Sequence, residues 1–450
     1  MSSFIETING YLWGLPMIAF LFLTHILMSV RTGFIQRKVF KGIRLSLGKD
    51  KSTKDGISPF SALATTLAST LGTGNIIGVS TAVALGGAGA VFWCWLTGLL
   101  GMATQYCECV LSVRFREKDS KGEYQGGPMY VLKNGVGSKA LGRVYASLAA
   151  VAGLITGAAI QTNAIKETVL ESVISRNKEF DDPSVISLCA GTVVAVLTAL
   201  VIFGGLKSVA TVCSMVVPFM AVAYTLGCLL ILLINREMVC ESFVLIIKDA
   251  FSLKSATGGF MGSALMLSCR YGVSRGLFSN EAGIGTSSVI CANANTDSPA
   301  KQGLISMTAT FWDTVVMCLI TGLAVVSTGL CCDVSDTQGA MLCMTAFSRI
   351  PYVGKGVLVF SMIAFAFSTI LGWSAIGEKF IVFLLGEKAA KPYRAFWVMT
   401  IFISSFVSLE GIWALGDLIN GILVVPNVAG LLLLSGKVRD ITRSEKGIGA

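Results

Sequence analysis

Long stretches of the chain are apolar and almost free of charge, and the polar residues gather in short segments between them. Many of these runs reach the roughly 20 residues that a helix needs to cross about 30 Å of hydrocarbon. They predict spans over 10–32, 57–87, 90–114, 141–172, 184–204, 208–234, 258–290, 302–330, 354–385, 394–408 and 411–435. Core helices of soluble proteins are usually shorter and keep a polar face. The pattern therefore predicts an all-α membrane protein with about 11 transmembrane helices. Two further apolar pieces, 241–251 and 338–349, read as amphipathic helices that cap the outer side of the bundle. The run from Gly10 to Met28 lacks a basic leader and a small-residue cleavage site, so it reads as a retained span and not as a secretory signal.

Composition sharpens this picture. Hydrophobic residues make up 54% of the chain and charged residues 14%, and the mean hydropathy is +0.74. No room is left for a large soluble domain. The net charge of +9 does not point to nucleic acid, because the basic residues sit in short loops beside spans. They cluster in 31–54 (Arg31, Arg37, Lys38, Lys41, Arg44, Lys49, Lys51, Lys54), in 114–143, in 379–394 and from Lys437 onward. The segments 172–183 and 331–336 are acidic instead, with Glu179, Asp181, Asp182, Asp333 and Asp336. Loops that alternate in this way place the N-terminus outside and the C-terminus in the cytoplasm of a multi-pass protein of the cell membrane. The 13 cysteines form no C-x-x-C pair, which supports neither a zinc site nor a disulfide framework.

Candidate chemistry lies where the spans are interrupted. The run 57–87 contains Thr70-Leu71-Gly72-Thr73-Gly74-Asn75 at its middle. Each glycine costs about 1 kcal/mol of helix propensity. Unwinding inside hydrocarbon is tolerated only where freed peptide groups find partners, such as a substrate or an ion. A half-helix N-terminus attracts a carboxylate, and unwound carbonyls attract a cation. The alternative is tight helix packing through Gly74 and Gly78. A second glycine-interrupted stretch, 258–290, carries Tyr271, Gly272 and Gly276 and ends in Ser279-Asn280-Glu281-Ala282-Gly283. It lies five spans after the first, the spacing expected of an inverted-repeat carrier site. Asn280-Glu281 reads either as part of that interruption or as a plain helix end.

A third element is Phe365–Trp373, where Ser368 and Thr369 either bond back to the preceding turn or offer oxygen to a hard cation. Trp373 is central in its span and suits a pocket wall. Gln161 and Asn163 read as interhelical glue or as lining of a permeation path. Asp313, an acid in mid-span, is the sharpest single residue. It could ligate an ion, carry a proton, or pair with Arg270 or Arg275. His25, the only histidine, reads as a satisfied helix residue. No pattern of nucleophile or catalytic metal is present, so an enzyme is not expected.

Together these motifs resemble the alanine/glycine:cation symporter family over nearly the whole chain. The resemblance is carried by Leu71-Gly72-Thr73-Gly74-Asn75-Ile76, Gly126-Gly127-Pro128-Met129-Tyr130, Arg275-Gly276-Leu277-Phe278-Ser279-Asn280-Glu281-Ala282-Gly283, Leu371-Gly372-Trp373-Ser374 and Pro426-Asn427. The chain departs from the family pattern at Ser61, Cys291 and Thr286-Ser287-Ser288. The resemblance implies a leucine-transporter-like fold, a 5+5 inverted repeat preceded by one extra helix. Segments 1–56, 57–234, 235–436 and 437–450 would then be the extra helix with its basic loop, the two repeats and a cytoplasmic tail.

The resemblance further implies sodium-coupled import of a small neutral amino acid, alanine or glycine, with no cofactor beyond the coupling ion. A sodium site would draw on Ala68, Leu71, Phe365, Ser368 and Thr369. The substrate would meet Leu71, Gly72, Thr73, Gly74 and Asn75, with Gln161 at its amino end and Tyr271, Gly272, Gly276 and Trp373 around it. Asn75 and Asp313 would serve a second ion. A monomer in the lipid bilayer is expected. The rival readings are a proton-coupled carrier using Asp313, and a channel.

Overall fold

A chain with so much apolar surface must satisfy its backbone internally, and most of the described residues are helical. The computed structural model describes residues 2–48, 57–120, 122–174, 182–252, 263–329, 339–406 and 411–445. Of the charges used above to orient the loops, Lys49, Lys51, Lys54, Glu179, Asp181, Asp333 and Asp336 lie outside the described residues.

The predicted first span is two helices, α1 (Ser2–Leu12) and α2 (Leu15–Arg31), bent by 44°. Gly14 is extended, and Pro16 occupies the first turn of α2, where its missing N–H does least harm. The short α3 (Val39–Ser46) follows. The predicted second span is also bent, by 51°, between α4 (Pro59–Thr70) and α5 (Gly74–Gly86). Next come α6 (Gly89–Arg114) and a hairpin of β1 (Glu117–Lys118) with β2 (Tyr124–Gln125). Then follow α7 (Lys139–Val173), α8 (Pro183–Ile202), α9 (Gly205–Ile234), α10 (Arg236–Ala250), α11 (Ser263–Asn280) and α12 (Pro299–Val326). The chain ends with α13 (Gly339–Ser348), α14 (Gly354–Leu385), α15 (Ala390–Ser404) and α16 (Ile412–Ser444).

By length and apolarity, six described helices can cross a membrane, α7, α8, α9, α12, α14 and α16, or eight if each bent pair is one span. The protein is thus a multi-pass membrane protein. The long α6 does not meet the apolarity test, because Gln105, Glu108 and Arg114 interrupt it. It is nonetheless buried from Gly101 through Val113, as expected of a helix at the centre of a bundle. At the periphery, α8 and α9 expose Leu197, Leu200, Phe219 and Leu226, which suits contact with lipid. The two amphipathic pieces are helices, α10 and α13. Asp249 at the end of α10 accepts the Gly89 N–H at 2.8 Å and so caps α6.

One expectation is corrected here. Gly272 and Gly276 do not interrupt their helix, since α11 runs unbroken to Asn280. They are small because α6 passes against them. A Cβ on Gly272 would sit 2.4 Å from the Ala90 carbonyl oxygen, and one on Gly276 would sit 2.2 Å from Thr97 Oγ1. The interruption falls later, over residues 281–287, before a single turn at Ser288–Cys291.

Candidate functional site

The first interruption is built by Leu71, Gly72 and Thr73. Leu71 ends α4 with ψ of 91°. The freed peptide groups then find side chains. Asn75 Oδ1 accepts the Gly72 N–H at 3.0 Å, and Gln161 Oε1 accepts the Thr73 N–H at 3.4 Å. The Leu71 carbonyl accepts from Thr369 Oγ1 of α14 at 3.2 Å. The Gly72 and Thr73 N–H groups and the Leu71 carbonyl thus have side-chain partners although the segment is buried.

The second interruption carries positive φ at Glu281 (56°), Gly283 (104°) and Gly285 (90°). A non-glycine residue rarely adopts this conformation, so the surroundings must hold Glu281 there. Its carboxylate accepts from Thr286 Oγ1 at 2.6 Å, and Tyr145 OH donates to the Ile284 carbonyl at 2.7 Å.

The third wall is α14. Ser368 and Thr369 both donate to the Phe365 carbonyl at 2.9 Å, the back-bonding expected of hydroxyls in apolar helices. Thr369 also reaches Leu71 O. These contacts show the back-bonding reading of the pair, and the single Thr369 hydroxyl proton is shared between the Phe365 and Leu71 carbonyls. Ala68 lies one turn before Leu71 and is fully buried. At Gly372, α14 and α4 meet so closely that a Cβ would lie 2.6 Å from the Ser69 nitrogen.

Between these walls lies a cavity with about 310 Å³ of atom-free space, counted to its mouth. Gly72, Gly74, Gln161, Thr369 and Trp373 line it, as do Phe278 of α11, Glu281 just after that helix and Asn420 of α16. Trp373 packs on α7 through Gly157, where a Cβ would fall 2.4 Å from the tryptophan Cβ.

The predicted site residues divide into four groups. Gly72, Gly74, Gln161, Thr369 and Trp373 line the cavity. Leu71, Thr73, Phe365 and Ser368 are buried beside it and take part in the bonds described. Tyr271, Gly272 and Gly276 lie on α11 outside the lining, where the two glycines face α6 and Arg270 sits 5.5 Å from the Tyr271 ring. Asn75 turns away from the cavity. Its Nδ2 donates to Asp313 Oδ1 at 2.9 Å and to Ser279 Oγ at 3.0 Å. Asp313 Oδ2 accepts from Ser279 at 2.8 Å and from Thr314 at 2.6 Å. Asp313 is not the partner of an arginine: Arg275 pairs with Asp417 of α16, at 2.9 and 3.1 Å. His25 is satisfied, its Nδ1 2.7 Å from Thr104 Oγ1.

Sequence reasoning missed Ser69, Thr156, Phe278, Ile284 and Asn420 as lining and left Glu281 open. An acid inside an apolar run was the available signal for Glu281. Phe278 was marked only by its place in the Arg275–Gly283 motif, and the others carried no such signal.

A profile of the Sodium:alanine symporter family matches residues 1–445. The chain is 40% identical over 451 residues to the sodium/alanine symporter AgcS of Methanococcus maripaludis, covering 98% of this chain and 96% of that one. The chain belongs to the sodium:alanine symporter family. It is also 32% identical to a putative sodium/proton-dependent alanine carrier protein, YrbD of Bacillus subtilis, over 99% of this chain and 93% of that one. Among solved structures it is similar to MhsT in complex with L-phenylalanine. That match has a TM-score of 0.61 at 15% identity, over 86% of this chain and 89% of the other, and it speaks to the fold alone. For a member of a transporter family, the three walls meeting at one cavity are the place to look for cargo.

Proposed function

We propose that this protein imports alanine or glycine together with sodium by alternating access. The observation that carries the reading is the contact of Thr369 Oγ1 with the Leu71 carbonyl, beside a cavity at a broken helix. Four oxygens gather there: the carbonyls of Leu71 and Phe365 and the hydroxyls of Ser368 and Thr369. With the Ala68 carbonyl they make the kind of oxygen set that a hard cation prefers. The amides around Gly72 and Thr73 suit a carboxylate once Asn75 and Gln161 yield. Trp373 and Phe278 line the cavity and would bound the substrate side chain. Asn75 and Asp313 form the candidate second ion site.

The family name and the alanine carriers among the relatives support the choice of substrate. One sodium moving through about 100 mV supplies roughly 2.3 kcal/mol, enough for nearly fiftyfold accumulation. In this reading α6, α11 and α15 complete about 11 spans, and 57–234 and 235–436 are the two halves of a 5+5 repeat. The N-terminus lies outside, the tail 437–450 is cytoplasmic, and the unit is a monomer.

Buried acids, Glu281 at the cavity and Asp313 behind it, favour a proton-coupled carrier as the second reading. Labelled alanine and glycine uptake into proteoliposomes separates the two. Accumulation that needs an inward sodium gradient supports sodium coupling. Uptake that persists without sodium and follows a pH gradient refutes it. Absence of counterflow would point to a channel instead.

A further inference from the structure

A second cavity lies beyond the interruption at 281–287, on the side of the β1–β2 hairpin. It is lined by Glu108 and Ser112 of α6, by Ser288, by Asn427 of α16 and by Pro128, and holds about 230 Å³ of atom-free space. Glu108 is 2% exposed. Its Oε1 accepts the Gly283 N–H at 2.9 Å and the Asn427 Nδ2–H at 2.7 Å. Its Oε2 is equally buried and has no hydrogen-bond partner. Among the described residues, no basic side chain pairs with Glu108. The two N–H donors stabilise a carboxylate, yet one of its oxygens remains unmet. Burying a charge in this way is costly unless a counter-charge is supplied.

Apart from Glu108 and Asn427, the polar side chains lining this cavity are Ser112 and Ser288; Leu111, Pro128, Val131, Leu132 and Leu431 supply apolar walls. Ser112 Oγ and Ser288 Oγ lie 2.8 Å apart, and Ser288 also donates to the Gly285 carbonyl at 2.7 Å. With that proton committed, lone pairs on both serines are left to face the cavity. A carboxylate oxygen and two hydroxyls, all oxygen and carrying one negative charge, match a dehydrated alkali cation and not an anion.

We propose that Glu108 Oε2, with Ser112 and Ser288, forms a binding site for one sodium ion, separate from the Leu71–Thr369 site. Gly283 couples the two regions: its N–H is held by Glu108, and Glu281, two residues earlier, lines the first cavity. A cation at Oε2 would thus bind against the segment that closes the substrate cavity from the hairpin side. The inference rests on the sodium-coupled reading for its choice of ion.

The test is equilibrium binding of radioactive sodium to the purified full chain without amino acid. Glu108→Gln should bind one sodium fewer per chain than the native protein. Ser112→Ala and Glu108→Asp should keep the number but raise the half-saturating concentration for that ion, by about threefold to tenfold. Ser368→Ala with Thr369→Ala should lose a different ion, so that adding Glu108→Gln removes one more. An unchanged sodium count and half-saturation in Glu108→Gln would overturn the proposal. So would an unchanged count accompanied by loss of proton release on alanine binding, which would make Glu108 a proton site. If Glu108→Gln does not yield folded protein, unchanged half-saturation in both Glu108→Asp and Ser112→Ala overturns it. An unchanged count in the Ser368/Thr369 variant alone would refute the first site and leave this one standing.

Discussion

Gly72→Ala probes the Leu71–Thr369 contact with a single methyl group. The added Cβ would lie 2.5 Å from Thr369 Oγ1, 3.4 Å from Thr369 Cβ and 3.5 Å from Gln161 Oε1. The first distance is too short for any real Cβ contact, so Thr369 must move. Threonine is stiff at χ1, and rotation to the next well swings Oγ1 away from the Leu71 carbonyl. Overpacking of this kind costs about 1–3 kcal/mol. If that cost falls on the sodium-bound state, half-saturation by sodium rises by about 5- to 150-fold. The matched control is Gly78→Ala on the same broken helix, where the new Cβ would meet nothing nearer than Arg275 Cδ at 3.7 Å. That is ordinary contact, and near-native behaviour is expected. The assay is alanine uptake into proteoliposomes as a function of external sodium, with membrane potential clamped and the amount of inserted protein measured. A Gly72→Ala protein with native sodium dependence would refute the placement of the ion at Thr369. Equal damage from Gly78→Ala would show that any extra methyl in this helix harms the fold, and the argument from Thr369 would fail.

Three further outcomes are expected. Ser368→Ala with Thr369→Ala should raise the sodium requirement of uptake by at least about tenfold, since two charge-assisted contacts are lost; unchanged dependence would refute the assignment. Trp373→Ala should admit larger neutral side chains in competition uptake, whereas unchanged selectivity with reduced yield would reassign Trp373 to packing on Gly157. Arg275→Met strands the Asp417 carboxylate and should destabilise the purified protein by about 3–5 kcal/mol, measured by thermal unfolding, while Arg275→Met with Asp417→Leu should be milder. A double variant as damaged as the sum of its singles would contradict that account.

The membrane class and most helix positions were legible in the apolar runs, because hydrocarbon imposes one length and one backbone solution on any crossing segment. The break at Leu71–Thr73 was legible for a related reason: glycines and polar residues at mid-span have no other tolerable explanation than unwinding or close packing. The choice between those two was not local. At Gly72 the added methyl meets a side chain of α14, and at Gly272 and Gly276 it meets α6, yet all three glycines look alike along the chain. The bend at Gly14, the displacement of the second break to Glu281, and the pairing of Arg275 with Asp417 over Asp313 likewise depended on which helix lay opposite. Phe278, Asn420 and the unmet oxygen of Glu108 became visible only once residues far apart in the chain were brought around a common space. Periodicity and composition report how one segment meets its solvent, whereas a binding cavity is made by several segments meeting one another.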